Sequence, residues 1–382
     1  MATTTGAPSR WNDAQLDAMR HQQDPPADAL VADLFAAGDV DAVNALMKTL
    51  STNDVLPPES LPASVRDFLE STAPLPPWAD PAKIQAGEHL FFRYGPAIIA
   101  NLHCYSLPYC YAGRKGVQVL ALTSRLYSNP TRRIIETAQM IVDVMRPGGL
   151  GALGTGIRTA QRVRLMHAGV RFQIGRYPGW STAEFDLPLN QEDMAGTIQS
   201  FSYIVLDGLR KLGYALDPAE VEAYLHCWNV VGHFIGLHED LMAHDYADAA
   251  ALSVRISGRQ FAACPEGQLM TKALIEMMQH EIPGNLFDRV PALMMRYLLG
   301  DHAADLIGVA PGHINELLTL PIRAAAHITS DLNHDSTILA KVHELFARAL
   351  IQGIILVERQ GKQIPFSIPT ELLQTWGVNW RP

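Results

Sequence analysis

Residues 131–146 read TRRIIETAQMIVDVMR, residues 157–172 read IRTAQRVRLMHAGVRF, and the glycine-rich run PGGLGALGTG joins them. Apolar residues recur at helical spacing in both segments, so we predict two helices. Asn129 and Pro130 cap the first helix, and Pro147 with two glycines ends it. A tight antiparallel helix turn needs only about two to five residues. The longer connector therefore predicts two helices that approach a flat cofactor from opposite faces.

The first predicted helix carries a polar stripe. Arg133, Glu136, Thr137 and Met140 are three, four and seven positions apart, which places them on one face. The stripe also has a purely structural interpretation. Arg133 and Glu136 are spaced to neutralise each other, and a helical threonine often bonds back to a carbonyl one turn earlier.

The second predicted helix places His167 among apolar residues and close to several arginines, which are Arg158, Arg162, Arg164 and Arg171. An imidazole on an apolar surface with cations nearby suits an iron porphyrin, whose propionates need positive partners. The spacing alone leaves two alternatives open. A lone histidine on an apolar helix is more often a hydrogen-bonded core residue, and an arginine cluster is as often a solvated face.

Composition limits the class of protein. The chain has 382 residues, of which 48% are hydrophobic, enough for one large core or two smaller ones. A formal charge of -9 argues against nucleic acid as the main partner. The first residues lack the pattern of a secretory signal, and no apolar run approaches the roughly 18 to 20 residues of a membrane span. We therefore expect a soluble, cytoplasmic protein.

The four cysteines form no Cys-x-x-Cys pair and no Cys-x-x-Cys-His haem attachment site. Structural disulfides, cysteine-rich zinc sites and covalently bound haem are therefore not expected. His103, Cys104 and Cys110 lie near the ends of apolar segments, where they either line a pocket or simply pack.

Helical periodicity dominates the whole chain. Further helices are predicted at 28–50, 81–94, 97–106, 116–127, 191–213, 218–236, 238–256, 266–281, 290–300, 303–307, 315–333 and 337–352, with 353–358 as a short strand or a helix end. The proline-rich passage from Leu56 to Trp78 is predicted to wrap the core as an ordered connection. We expect an all-α fold with one main helical domain at 78–382 and an N-terminal extension at 1–77 that packs on it.

A second histidine-rich segment contains His233, His238 and His244 with nearby carboxylates. Such groups are standard ligands of zinc and iron, so a metal site here is one alternative. The five-residue spacing of His233 and His238 does not place them neatly on one helical face, and no His-Glu-x-x-His pattern occurs. Loop capping and solvation are the structural alternative.

The motif Arg133-x-x-x-Thr137, followed after the connector by Arg164-Leu165-Met166-His167-Ala168, resembles the motif core of the latex clearing proteins. It also resembles their wider family, which includes the fungal oxygenase of mycophenolic acid biosynthesis. The resemblance extends to Pro77-Trp78, Ser124-Arg125-Leu126, Trp228-x-x-x-Gly232-x-x-x-Gly236 and Glu239-Asp240-Leu241, and spans about 78–251.

The resemblance implies an all-α fold with a globin-like core and non-covalent haem b. It implies that His167 is the proximal iron ligand and that Arg133 and Thr137 lie close to the haem. Latex clearing proteins are dioxygenases that cleave carbon–carbon double bonds of polyisoprene. Their distal lysine corresponds to Glu136, and their catalytic glutamate falls near Val117. These two departures, with the missing export signal, argue against cleavage of a solid extracellular polymer.

We therefore predict a haem b-dependent oxygenase or peroxygenase that acts with dioxygen or peroxide on a hydrophobic, unsaturated or isoprenoid small molecule. Glu136 is expected to exchange protons, while Arg133 holds that carboxylate and Thr137 binds an oxygen ligand. Burial is expected to favour protonation of Glu136 or its pairing with Arg133. Arg164, Met140 and Arg171 are the expected cofactor contacts beside His167. The alternatives are a non-catalytic haem protein that binds or senses a gas or apolar ligand, and a metal-dependent hydrolase at His233, His238 and His244.

Overall fold

The structure is a computed structural model, which describes residues 10–47, 50–126, 130–282, 287–319 and 338–359. Its α-helices are α1 (Asp13–Arg20), α2 (Pro25–Ala37), α3 (Val40–Met47), α4 (Ala63–Ser71), α5 (Pro81–Asn101), α6 (Leu107–Ala112), α7 (Gly116–Leu126), α8 (Pro130–Met145), α9 (Gly156–Ile174), α10 (Thr182–Phe185), α11 (Gln191–Phe201), α12 (Tyr203–Lys211), α13 (Pro218–Phe234), α14 (Tyr246–Gln260), α15 (Pro265–Glu281), α16 (Val290–Leu299), α17 (Asp301–Leu306) and α18 (Ile338–Arg359). A π-helix at Leu102–Ser106 joins α5 to α6, and 3-10 helices occupy Glu239–Leu241 and Ile314–Thr319. Within these ranges the β pairing amounts to one isolated bridge, between Gly113 and Phe261. The predicted all-α fold is confirmed.

Two predicted helices are each divided in the structure. The prediction of one helix at 28–50 is wrong, because Gly38 adopts a left-handed conformation with φ of 76° and ends α2. The predicted helix at 191–213 is interrupted at Ser202, whose φ and ψ of -103° and -86° are not helical. Sequence periodicity continues across both breaks, which explains why neither was predicted.

The other boundary errors have local causes. The helix predicted from His238 begins at Tyr246, because the Asp245 side chain caps it by accepting a hydrogen bond from the Asp248 amide. Residues 353–358, predicted as a strand or a helix end, belong to α18. Of the helix predicted at 315–333, residues up to Thr319 form a 3-10 helix, and the remainder lies outside the described residues.

Three apolar clusters form the core. The first surrounds the fully buried Trp228 of α13, and the second lies among α6, α15, α16 and α18. The third joins α2, α3 and α4 to one face of α9 through residues that include Leu34, Leu69 and Ala168. The N-terminal helices therefore cover α9 and fix its position. Among the helices of the described ranges, none has the length and apolar character needed to cross a bilayer.

Candidate functional site

Helices α8 and α9 contact each other close to the connector that joins them. The Thr159 hydroxyl donates a hydrogen bond of 2.8 Å to the Asp143 carboxylate. Glu136 and Thr137 are seven and six residues from this contact along α8, and His167 is eight residues from it along α9. Each residue advances a helix by about 1.5 Å, so the three residues lie about 9 to 12 Å from the contact along their own helices.

The glycine-rich connector does not stretch between two separated helices. It folds on itself through a hydrogen bond from the Gly149 amide to the Arg146 carbonyl at 2.8 Å and one from the Gly156 amide to the Gly149 carbonyl at 2.9 Å. A Cβ atom on Gly154 would lie 2.2 Å from the Gly149 carbonyl oxygen, so this fold requires glycine there. The expectation that the connector's length spans a flat cofactor is wrong.

Asn53, which precedes α4, holds the connector and caps α9. Its Nδ2 donates to the carbonyls of Gly149 at 3.0 Å and Gly151 at 2.6 Å, and its Oδ1 accepts from the amides of Ile157 at 3.0 Å and Arg158 at 3.2 Å. The N-cap residue Thr155 makes no side-chain capping bond, so Asn53 supplies the cap from a distant part of the chain. Asn53 was not among the predicted site residues, because nothing in the local sequence marks such a contact.

Glu88 of α5 holds the other side of the connector. Its carboxylate is buried and accepts a hydrogen bond of 2.9 Å from the Gly148 amide. Burial raises the pKa of Glu88, and the amides of the connector oppose that rise. Asn53 and Glu88 together fix the loop from which α8 and α9 extend.

His167 is half-buried on α9, between the exposed Met166 and the buried Ala168. Ala168 packs into the N-terminal apolar cluster, so α9 turns that face towards α2. On the same helix, a Cβ atom added at Gly169 would meet nothing within 4 Å, which shows open space over the backbone there. Gly169 is two residues from His167 and therefore about 200° around the helix from it, so this open space lies on a different face from the imidazole.

The arginines of α9 bind residues of the N-terminal helices. Arg164 makes a two-point ion pair with the Asp24 carboxylate, at 2.6 and 2.8 Å, and Arg171 donates to Asp28 at 2.6 Å. Asp24 and Arg171 are both buried. The two arginines predicted as cofactor contacts are therefore already neutralised, and their described bonds hold α2 against α9.

The polar stripe of α8 divides between three environments. Glu136 is exposed, so the expected burial of its charge is wrong. Thr137 is half-buried, and Met140 is buried in the first apolar cluster. The side chain of Arg133 lies outside the described residues, so its predicted pairing with Glu136 stays a prediction.

Thr137 lines an apolar pocket between α8, α11 and the end of α5. Its other lining residues are Ile99, Leu102, His103, Leu107, Ile134, Ala138, Ile141, Val142 and Phe201. His103 belongs to the π-helix and is buried. The segment with His103, Cys104 and Cys110 was expected either to line a pocket or to pack. His103 lines the pocket, whereas Cys104 is buried in the second cluster. The sequence feature that pointed to His103 was a single imidazole in an otherwise apolar segment.

The second histidine-rich segment serves local structure. His238 accepts a hydrogen bond of 3.3 Å from the Asp240 amide and so caps a 3-10 turn, while His233 lies 3.8 Å from Glu239. The Trp78 indole also donates to Glu239, at 3.2 Å. In the part of the chain that the structure describes, no group of three histidine, cysteine or acidic side chains is arranged to hold a metal ion. The metal-site alternative at His233, His238 and His244 has no geometric support there.

The side chains on α8 and α9 can be compared with those that a haem group requires, namely a ligand for the iron and positive partners for the propionates. His167 is a half-buried imidazole, a group that can ligate haem iron. Thr137 and Glu136 lie on the neighbouring helix, six and seven residues from the Thr159–Asp143 contact, and His167 is eight residues from it on α9. The expected partners of the propionates do not fit as well, because Arg164 and Arg171 already bind carboxylates. The residues present therefore fit the iron of a haem better than its propionates.

Comparison with known proteins yields three matches. A family model described as ER-bound oxygenase mpaB/B'/Rubber oxygenase, catalytic domain, matches residues 106–330, which include both α8 and α9. Rubber oxygenase from Streptomyces sp. (strain K30) is 30% identical over 305 residues, which cover 77% of this chain and 72% of that protein. A structure of latex clearing protein in the closed state superposes with a TM-score of 0.75 and 27% sequence identity, covering 92% of this chain and 95% of the other.

Proposed function

The chain belongs to the family of mpaB/B' and rubber oxygenase catalytic domains, and on this premise we propose that it is a haem b-dependent oxygenase of a hydrophobic, polyisoprene-like substrate. Family membership makes the protein an oxidoreductase. The observation that supports the haem proposal is the α8–α9 pair, whose helices contact each other beside the connector and carry the half-buried His167 and Thr137 at similar distances along the chain from that contact. This pair falls inside the matched region.

In this proposal His167 holds the cofactor iron through its imidazole, without covalent attachment. When bound, haem supplies a centre that binds and activates dioxygen or peroxide. The buried ion pairs of Arg164 and Arg171 keep α9, and with it His167, in a fixed position relative to the N-terminal helices. Their contribution is therefore one of positioning.

Thr137 and Glu136 have different proposed tasks on α8. Thr137 is half-buried on an apolar pocket wall, where its hydroxyl orients a small polar ligand. Glu136 is exposed, so its carboxylate exchanges protons with water and passes them to the site. Arg133 is proposed to lie near them, as the resemblance to the family implies.

The apolar lining beside Thr137 supports a hydrophobic substrate. Val117, at the position near which the family's catalytic glutamate falls, is fully buried in the second apolar cluster and offers no carboxylate. Glu136 replaces the family's distal lysine. We propose that these changes adapt the site to an unsaturated or isoprenoid small molecule.

The direct test is an absorption spectrum of freshly purified protein, compared with that of His167→Ala. The native protein should show the Soret band of haem, and the variant should lose most of it while retaining its helical circular dichroism. Normal haem content and an unchanged spectrum in the variant would contradict the assignment of His167. Haem without consumption of oxygen or peroxide, across unsaturated substrates, would instead indicate a protein that binds or senses a ligand.

A further inference from the structure

His103 presents an unused hydrogen-bond acceptor inside the protein. Its Nδ1 lies 2.7 Å from the Ile99 carbonyl oxygen, and because a carbonyl only accepts hydrogen bonds, Nδ1 carries the proton and donates it. Burial lowers the pKa of His103, so the ring is neutral and Nε2 carries a lone pair. Nε2 is buried and has no hydrogen-bond partner among the described residues. Buried polar atoms of this kind normally have a partner in the protein or in an ordered water.

The pocket that His103 and Thr137 line has the size of one water molecule. Its volume is about 20 Å³, and a water needs about 10 to 15 Å³ of such space. The polar side chains on the pocket wall are those of His103 and Thr137, and the other lining side chains are apolar. A buried water needs two to four polar partners, so these two groups meet the lower limit.

The two polar side chains are complementary to the hydrogen-bonding groups of water. Nε2 of His103 can only accept, so it takes one O–H of the water. The Thr137 hydroxyl both donates and accepts, so it can bond to the second O–H or to a lone pair of the same water, whatever other bond it makes. His103 belongs to the π-helix Leu102–Ser106, a type of segment that is frequent at functional sites, and Thr137 belongs to α8. One water therefore suffices to connect these two elements.

We propose that one buried water donates a hydrogen bond to Nε2 of His103 and bonds to the hydroxyl of Thr137, and that His103 is thereby a positioning residue for Thr137. A helical threonine divides between two χ1 rotamers, because its hydroxyl can bond to either of two preceding carbonyls. A water held at Nε2 favours the rotamer that turns the hydroxyl towards the pocket. The task of Thr137 towards a ligand rests on the proposed oxygenase function, whereas the water and the rotamer do not.

Two substitutions separate the acceptor of His103 from the rest of its ring. His103→Gln and His103→Leu both remove Nδ1, but the glutamine carbonyl can replace Nε2 as an acceptor, whereas leucine offers none. In NMR spectra of the full-length protein, the three-bond couplings of the Thr137 methyl group report its χ1 rotamer. We expect one rotamer in the native protein and in His103→Gln, and two rotamers in His103→Leu. One rotamer in all three proteins, or two in the native protein, would overturn the positioning role.

A double-mutant cycle measures whether His103 and Thr137 share the water. His103→Leu and Thr137→Val each remove one of its partners, so the equilibrium constant of unfolding in the double variant should be about twofold to tenfold smaller than the two single effects multiplied together predict. His343 is the matched control, because it is also a fully buried histidine whose Nε2 has no partner among the described residues, but it does not line this pocket. The effects of His343→Leu and Thr137→Val should simply multiply. The same coupling for both histidines, or none for His103, would overturn the proposal.

The water itself can be detected in the native protein, so the proposal stays testable if His103→Leu does not fold. A nuclear Overhauser effect should connect a long-lived water to the carbon-bound Hε1 proton of His103, which lies next to Nε2. The same signal should persist in His103→Gln at the side chain of Thr137. Absence of the signal from the native protein would overturn the proposal. None of these measurements involves turnover, so failure of oxygenase activity would contradict the proposed function and leave this result unaffected.

Discussion

Replacing Asn53 by alanine should destabilise the protein strongly, because this one side chain holds both the connector and the start of α9. The change removes two hydrogen bonds to the Gly149 and Gly151 carbonyls and two from the Ile157 and Arg158 amides. Asn53 is 8% exposed, so water has little access to replace them.

The size of the effect follows from these four bonds. Loss of a helix cap costs about 1 to 2 kcal/mol, and each lost bond to a carbonyl costs about 1 kcal/mol more. Asn53→Ala should therefore lower the free energy of unfolding by about 3 to 4 kcal/mol. Urea denaturation followed by circular dichroism measures this value, and the haem content of the same samples reports whether α9 keeps its place.

The neighbouring variant Thr52→Ala is the control, because the Thr52 hydroxyl bonds only locally to Asp54 among its described contacts, and the change should cost less than about 1 kcal/mol. A loss of less than about 1 kcal/mol in Asn53→Ala would refute the argument, since it would mean that the connector keeps its fold without this side chain.

Three other predictions concern the site and the buried charges. Glu136→Gln should lower oxygen- or peroxide-dependent turnover by about 10²-fold and alter its pH profile while haem content stays constant; unaltered activity at every pH would reduce Glu136 to a surface residue. Asp24→Asn should lower the free energy of unfolding by about 3 kcal/mol because it leaves Arg164 without its partner. The control Asp33→Asn, on the exposed side of α2, should leave the free energy of unfolding almost unchanged, and equal effects of the two variants in denaturation would contradict the prediction. Burial lowers the pKa of His343 to about 3, so its neutral form supports folding above pH 6.5 and this contribution is lost as pH falls towards 3. Between pH 6.5 and 4.5 the loss should reach about 2 to 3 kcal/mol, and His343→Leu should show a correspondingly flatter dependence of unfolding free energy on pH.

Local patterns predicted the all-α class and several of the helices, but not all of their bounds. The stretches now seen as α8 and α9 were placed within two residues at each end, because their apolar spacing and the flanking proline and glycines are local signals. Gly38 and Ser202 broke predicted helices since a single residue with non-helical dihedral angles leaves the surrounding periodicity intact. Periodicity alone therefore overestimates helix length.

The candidate site was predictable only in part. The sequence singles out His167 and Thr137, whose roles stay predictions, but it gave no indication that Asn53 folds the connector or that Asp24 and Asp28 neutralise Arg164 and Arg171. Each of these contacts joins residues at least 96 positions apart, so neither helical spacing nor turn chemistry reveals them. The length of the glycine-rich connector predicted that it spans a flat cofactor, whereas its many glycines allow it to fold compactly.

The positions of Asn53 and Glu88 along the chain affect the order in which the protein can fold during its synthesis. Asn53 and Glu88 both precede the connector that they hold, so they have already left the ribosome when it emerges. More than half of the 382 residues follow Ile174, and their synthesis takes about 10 to 40 s. The connector thus has its anchors available well before translation ends, and a nascent chain stalled far enough beyond α9 for both helices to have left the ribosome should already protect the connector from proteases.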